Sequence, residues 1–164
     1  MRILSGLSAP EAGAVLWDGE PLRAAGRAAR LGLVYIGHTN ALKDDLTLQE
    51  ALAFLARLAE HPQPEAAAGV ALQRLGLGTR RLAAVRTLSQ GQRRRGALAR
   101  LALDYTPRTW ILDEPYDALD SDSTRLLSGL ITAHAARGGA VLLTSHQDVV
   151  LPGLRVHHLP SPPG

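Results

Sequence analysis

Apolar positions in this chain follow two rhythms: short unbroken runs, and longer stretches in which leucine recurs every three or four residues. The runs are Leu31 to Gly37 (LGLVYIG), Thr109 to Leu112 (TWIL) and Ala140 to Thr144 (AVLLT). Each is compact enough to read as a buried strand. A briefer one, Ala14 to Trp17, lies among the breakers Pro10, Gly13, Gly19 and Pro21 and predicts a short strand and turn. Thr47 with Glu50 forms a capping box. It opens a helix of about four turns with Leu48, Leu52, Leu55 and Leu58 or Ala59 on one face, ended by Pro62 and Pro64. A second helix runs from about Glu65 to Leu75, with Val70, Leu72 and Leu75 as its apolar positions and Gly76 as its stop. Ser89 with Gln92 repeats the capping box and opens another helix. Ser121 to Arg137 predicts one more, with Leu126, Leu127, Leu130 and Ile131 inward and Gly138-Gly139 ending it.

The chain ends read less regularly. Met1 to Leu7 predicts the tail of a helix closing on Gly6, and Leu154 to Leu159 (LRVHHL) a last edge strand. On that strand His157 and His158 point to opposite faces and make a poor metal pair. From Pro160 onward a frayed terminus is expected. The order strand, helices, strand, helix, strand predicts an α/β fold. It is a mainly parallel sheet with helices on both faces and a helical insertion between His38 and Leu88.

Composition narrows the setting. A chain of 164 residues with 46% hydrophobic and 20% charged positions reads as one globular domain. It holds no cysteine, which excludes disulfides and thiolate metal sites and fits a reducing compartment. No apolar run reaches the roughly 18 residues of a membrane span, and no signal-peptide pattern opens the sequence. The net charge of +3 is mild, and the one dense basic run, Arg93-Arg94-Arg95, fans around a helix without forming a stripe. A solvated or locally paired face is expected there, not a nucleic-acid patch.

The chemistry concentrates between Leu88 and Asp120. In Leu88-Ser89-Gln90-Gly91-Gln92, Gly91 lets a ligand approach the backbone, and the following helix start offers free N–H groups to an anion. Alone, this reads equally as an ordinary capped helix. In Thr109-Trp110-Ile111-Leu112-Asp113-Glu114-Pro115, a buried strand delivers two carboxylates to its C-terminal edge, where open α/β sheets bind ligands. Asp113 there can hold Mg²⁺ and Glu114 can polarise a water. Two acids after a strand are common by themselves. Both pieces at this spacing, followed by Asp117-Ala118-Leu119-Asp120, point to nucleotide chemistry.

These residues resemble the nucleotide-binding domain of ABC ATPases, a P-loop-type fold. LSQGQ stands for the family's signature turn, with Gln90 where glycine is usual, TWILDE for its Walker B strand, and ALD for its D-loop. Gly96 is a second oddity, since glycine inside a helix costs roughly 1 kcal/mol against alanine. The turn and strand from Pro10 to Gly19 (PEAGAVLWDG) resemble the segment that follows the family's phosphate loop. The loop itself, GxxxxGK, does not occur, and the only lysine is Lys43 between Leu42 and Asp44. The expectation is therefore a domain that begins just after its own Walker A loop. Residues 1–37 and 105–164 would form its core and 38–104 its helical subdomain. His38 stands where the family's Q-loop glutamine usually does. Within Tyr35 to Glu50 this is similar to the haem-exporter subgroup serving cytochrome c biogenesis. His146, in TSHQ, matches the switch histidine.

The resemblance implies an ATPase subunit of an ABC exporter, with ATP and Mg²⁺ as cofactors. Glu114 and His146 would be catalytic, Asp113 the metal ligand and Asp120 the D-loop acid. Ser89, Gln90, Gly91 and Gln92 would reach a partner protomer's nucleotide. It further implies a homodimer of ATPase subunits bound to transmembrane subunits near His38. The complex would be peripheral on the cytoplasmic face of the inner membrane, held there only through those partners, with no nucleic acid. The alternative is a catalytically dead pseudo-subunit that donates only its signature face.

Overall fold

In a computed structural model, which describes residues 1–103, 106 and 108–157, the middle strand of a parallel sheet carries the paired acids. In chain order the elements begin with β1 (Leu16–Trp17) and β2 (Glu20–Pro21), which form an antiparallel ribbon. Next come α1 (Gly26–Gly32), β3 (Leu33–Ile36), α2 (Leu48–Leu58) and α3 (Pro64–Arg74). Then follow α4 (Gln90–Leu98), which runs into a 3-10 turn at Ala99–Ala102, β4 (Thr109–Asp113), α5 (Ser121–Ala136) and β5 (Ala140–Thr144).

The sheet order is β3-β4-β5, all parallel. Val34 pairs with Trp110 and Ile111 with Leu142, so the three predicted strands share one sheet. β4 lies between two neighbours, and its Trp110, Ile111 and Leu112 are buried, as a central strand covered on both faces requires. Parallel register puts the C-terminal ends of all three strands at one edge.

Two apolar cores flank the last turn of α4. Leu98 and Leu101 pack with Val34, Trp110, Leu112, Leu127 and Ile131 under the sheet. Ala99, Ala102 and Leu103 instead join Leu48, Leu52, Leu72, Leu75 and Leu77 among the helices. Both predicted capping boxes form. Thr47 Oγ1 accepts from the Glu50 amide at 3.2 Å while Glu50 accepts from the Thr47 amide at 2.8 Å. Ser89 Oγ accepts from the Gln92 amide at 3.2 Å, and Gln92 Oε1 accepts from the Ser89 amide at 3.0 Å. Gly96 also finds its reason. A Cβ there would stand 2.7 Å from Leu48 Cδ1, so glycine lets α4 seat against α2.

At its far end β4 is braced by α5. The ring of His134, fully buried, stacks on Trp110 with centroids 3.7 Å apart and planes 12° from parallel. His134 Nε2 lies 2.7 Å from the Arg108 carbonyl oxygen, and burial pulls the imidazole pKa below its ordinary value. A Cβ on Gly139 would fall 2.1 Å from Nε2, so the chain can turn from α5 into β5 here only as glycine.

Several expectations are corrected. Leu126 is exposed, not inward, and the apolar Val70 is exposed as well. On a helix, residues one or two apart do not share a face, and the buried stripes run through Ala68, Ala71 and Leu72, and through Ser123, Leu127 and Ile131. Leu58 also lies outside, because alanines at 53 and 56 let α3 approach α2 on the other side. Met1 to Leu7 forms turns with Gly6 at φ 75°, not a helical tail. Leu154 to His157 forms no strand; His158, Leu159 and Pro160 onward lie outside the described residues. The helix α1 has no strong apolar period and was not expected.

Candidate active site

Asp113 is the last residue of β4 and sits in register with Thr144, the last of β5. The Thr144 hydroxyl donates to Asp113 Oδ1 at 2.9 Å and accepts from the Glu114 amide at 3.1 Å. A single side chain on the neighbouring strand thus fixes both acids. The Tyr35 hydroxyl, from β3, stands 3.5 Å from Asp113 Oδ2, at the limit of a hydrogen bond. Burial, and then the Asp113 charge, push the Tyr35 pKa up, so this phenol stays protonated.

Glu114 follows with φ 47°, in the left-handed region that side chains rarely adopt. Such a conformation persists where surroundings hold it. Here the carbonyl oxygen of Glu114 accepts from Arg94 Nη2 at 2.7 Å. Its carboxylate accepts from the His146 amide at 3.1 Å, with His146 Nε2 3.5 Å from the other oxygen. The Glu114 side chain is only 16% exposed, whereas that of His146 is 93% exposed. The carboxylate is therefore shielded and aimed across the sheet edge, with the imidazole standing over it in solvent.

His38 emerges just past the end of β3, at the same edge, and is exposed. Among the described residues no hydrogen bond ties its imidazole to the acids. Only its neighbour is tied in, through the Gly37 carbonyl oxygen, which accepts from Arg94 Nη1 at 2.9 Å. The signature turn lies one helix away. Ser89 and Gln90 are exposed at the start of α4, while Gly91 and Gln92 are half-buried. A Cβ on Gly91 would meet the Ala118 carbonyl oxygen at 3.3 Å, so this turn and the D-loop are in close contact. Asp120 caps α5, accepting from the Ser123 amide at 2.8 Å, and that bonding lowers its pKa.

Asp113, Glu114 and His146, all expected at the site, stand together at the sheet edge, and Thr144 and Arg94, which were not expected there, stand with them. Arg94 is a buried charge inside a run expected to be solvated or locally paired, and it is the paired outcome that it shows. Its signal was periodicity: it precedes Leu98 by four residues and Leu101 by seven, which sets it on the face of α4 turned to the sheet.

The oxygen donors suit Mg²⁺, a hard cation that prefers oxygen. No group of three or more ligating side chains gathers among the described residues. Mg²⁺ is usually held by one or two carboxylates and completed by substrate phosphates and water. Asp113, with one oxygen bonded to Thr144 and the other facing the half-buried Tyr35, could supply such a carboxylate.

Compared with known protein families, residues 1–117 match the ABC transporter family. The chain belongs to that family, one of ATP-hydrolysing transporter subunits. Among ABC relatives, the cytochrome c biogenesis ATP-binding export protein CcmA of Nitrosomonas europaea is 43% identical over 159 residues, covering 97% of this chain and 74% of that protein. The CcmA of Pseudomonas aeruginosa is 46% identical over 151 residues, covering 92% and 74%. A solved ATP-binding subunit of an ABC transporter superposes with a TM-score of 0.74 at 26% identity, covering 88% of this chain and 61% of that one. An ATP-binding cassette solved as a dimer after hydrolysis, with ADP and Pi, gives 0.78 at 22% identity and shares the fold, over 89% of this chain and 68% of that one. As an ABC chain it has no helix, among the described residues, long and apolar enough to cross a membrane.

Proposed function

We propose that this chain is the ATP-binding and ATP-hydrolysing subunit of an ABC exporter, and that the exporter moves haem for cytochrome c-type biogenesis. The observation that carries the ATPase assignment is the edge constellation in which Thr144 fixes Asp113 and Glu114 while the Glu114 carboxylate reaches His146. The export assignment is supported by the relatives named for cytochrome c biogenesis export.

In this reading Glu114 orients and polarises the attacking water, and its shielded carboxylate keeps the charge directed. His146, exposed above it, donates toward the transferred phosphoryl. Asp113 holds Mg²⁺, which when bound neutralises charge on the ATP phosphates. Ser89, Gln90, Gly91 and Gln92 face the nucleotide of a second copy, so the working form is a homodimer. Asp120 sets the D-loop between the two. His38 lies toward the transmembrane subunits, through which alone the protein meets the cytoplasmic face of the inner membrane. The division is 1–37 with 105–164 as the catalytic core and 38–104 as a helical subdomain; the helical apolar core supports it, while Leu98 and Leu101 of that subdomain pack under the sheet.

The test is Glu114→Gln in a version of the chain that carries a Walker A loop, purified with its membrane subunits. It keeps size and hydrogen bonding but removes the charge. ATP turnover should fall by about 10²–10⁴-fold, with ATP binding retained. Turnover near the wild-type rate would refute the assignment.

A further inference from the structure

Arg94 is 3% exposed, yet its hydrogen bonds go to no carboxylate. A buried guanidinium is rare unless paired, because it loses its hydration. Here the fork is spent on backbone: Nη1 donates to the Gly37 carbonyl at 2.9 Å, and Nη2 donates to those of Asp113 at 3.1 Å and Glu114 at 2.7 Å. These three carbonyls belong to the two strand ends that carry His38, Asp113 and Glu114. The shortest of the bonds falls on Glu114, whose backbone is in the left-handed region at φ 47°.

The other end of this contact is α4 itself. Arg94 lies within the first turns after Ser89, the cap of the signature turn. The helix has little room to slide. A Cβ at Gly91 would come within 3.3 Å of the Ala118 carbonyl oxygen, and one at Gly96 within 2.7 Å of Leu48. A displacement of α4 therefore pulls on the carbonyls that Arg94 grips.

Resting on the ATPase reading above, we infer that Arg94 is a positioning residue for hydrolysis. It clamps the backbone of Glu114 and Asp113 to the end of β3, and it ties that clamp to the helix that presents Ser89 to the partner's nucleotide. Occupation of the signature turn by the partner's ATP is thereby transmitted to this chain's own Glu114. Arginine suits the task because its planar fork spans three acceptors in fixed geometry, which a lysine ammonium on a flexible stem does not.

The experiment compares Arg94→Lys, Arg94→Gln and Glu114→Gln in a version of the chain that carries a Walker A loop, purified with its membrane subunits, measuring kcat and KM for MgATP and the melting temperature. Misplacing a reacting group by about 1 Å can cost up to about a hundredfold in rate. Arg94→Gln should accordingly lower kcat by about tenfold to a hundredfold with KM changed less than about twofold, and Arg94→Lys should recover part of the loss. In the same variants the His146 amide, which donates to the Glu114 carboxylate, should exchange faster with solvent while the Leu112 amide does not. If Arg94→Gln does not fold, Arg94→Lys decides: lower kcat at constant KM supports the inference, and wild-type kcat overturns it. Equal melting losses in both variants with unchanged kcat in the folded fraction also overturn it. A fully active Glu114→Gln would sink the ATPase reading itself. A dead Glu114→Gln beside fully active Arg94 variants would sink only this inference.

Discussion

His134 lies flat on Trp110, ring centroids 3.7 Å apart, at the opposite end of β4 from the two acids. Its Nε2 lies 2.7 Å from the Arg108 carbonyl oxygen, and Nδ1 is buried with no hydrogen-bond partner among the described residues. With Nε2–H donating to that carbonyl, the ring is neutral and its second nitrogen has no room for a solvated proton.

This arrangement predicts a pH dependence of folding. Burial sets the folded pKa of His134 below the ordinary value of 6.5, with the Arg108 bond opposing and the Arg137 charge adding to the shift. The unfolded chain therefore binds the proton more readily. The contribution is fully present above pH 6.5 and is lost as pH falls from there through the folded value. Urea unfolding between pH 7.5 and 5 should show stability falling with acid. His134→Phe, which keeps a stacked ring but cannot titrate, should flatten part of that slope. An unchanged slope would place the acid sensitivity elsewhere.

Gly96→Ala tests whether packing or propensity rules in α4. Alanine gains about 1 kcal/mol as a helix former. Its methyl, however, meets the fully buried Leu48 at 2.7 Å. Overpacking of this kind costs about 1–3 kcal/mol, so a net loss of stability is expected by chemical denaturation. A more stable variant would mean that α4 and α2 are less tightly seated.

The Thr144 hydroxyl is predicted to matter twice. Thr144→Val keeps the shape but leaves the Glu114 amide without its acceptor and Asp113 without its donor, for a loss of about 1–3 kcal/mol. ATP turnover by the exporter should drop with it, and Thr144→Ser should restore both, since the bonds come from Oγ. If Thr144→Val and Thr144→Ser behave alike, the methyl and not the hydroxyl is what β5 contributes.

Ser89 separates capping from partner contact. Ser89→Ala removes one half of the capping box and should cost about 1 kcal/mol. Ser89→Arg loses the same cap and adds bulk on the face proposed to meet the second copy, so in a version carrying a Walker A loop ATP-dependent dimer closure should fail while nucleotide binding at that loop persists. Sedimentation with and without ATP distinguishes the two. Closure surviving in Ser89→Arg would remove this turn from the interface.

What could be read from sequence is what depends on near neighbours. The capping boxes at Thr47 and Ser89 involve residues three apart, so local chemistry alone specifies them. The β4 run ending in Asp113 and Glu114 was equally plain, because a central parallel strand is apolar on both faces. Arg94 could not be told from its two neighbours in the solvated or locally paired run, because only the assembled strands create the three carbonyls that draw it inward. Leu126 was misplaced, and the exposure of Val70 not foreseen, because small alanines and a serine, which carry little hydrophobic weight, help define the buried stripes of α3 and α5. Thr144 was passed over as the polar end of a strand; its role appears only through its register with Asp113.

The shared edge of the parallel sheet also sets an order of events during synthesis. The bonds that hold Glu114 span 32 residues to His146, 30 to Thr144 and 20 back to Arg94, while Arg94 reaches 57 back to Gly37. Contacts of such separation form late, after loop closure has been overcome. A nascent chain halted before β5 can complete its helical core around Leu48 and Leu72, yet it has only Arg94 to hold Glu114 in its left-handed conformation and lacks the Thr144 and His146 bonds. Pulse-labelled amide exchange during refolding should therefore find α2 and α3 protected before the His146 amide. The catalytic edge is a checkpoint that only a finished chain can pass.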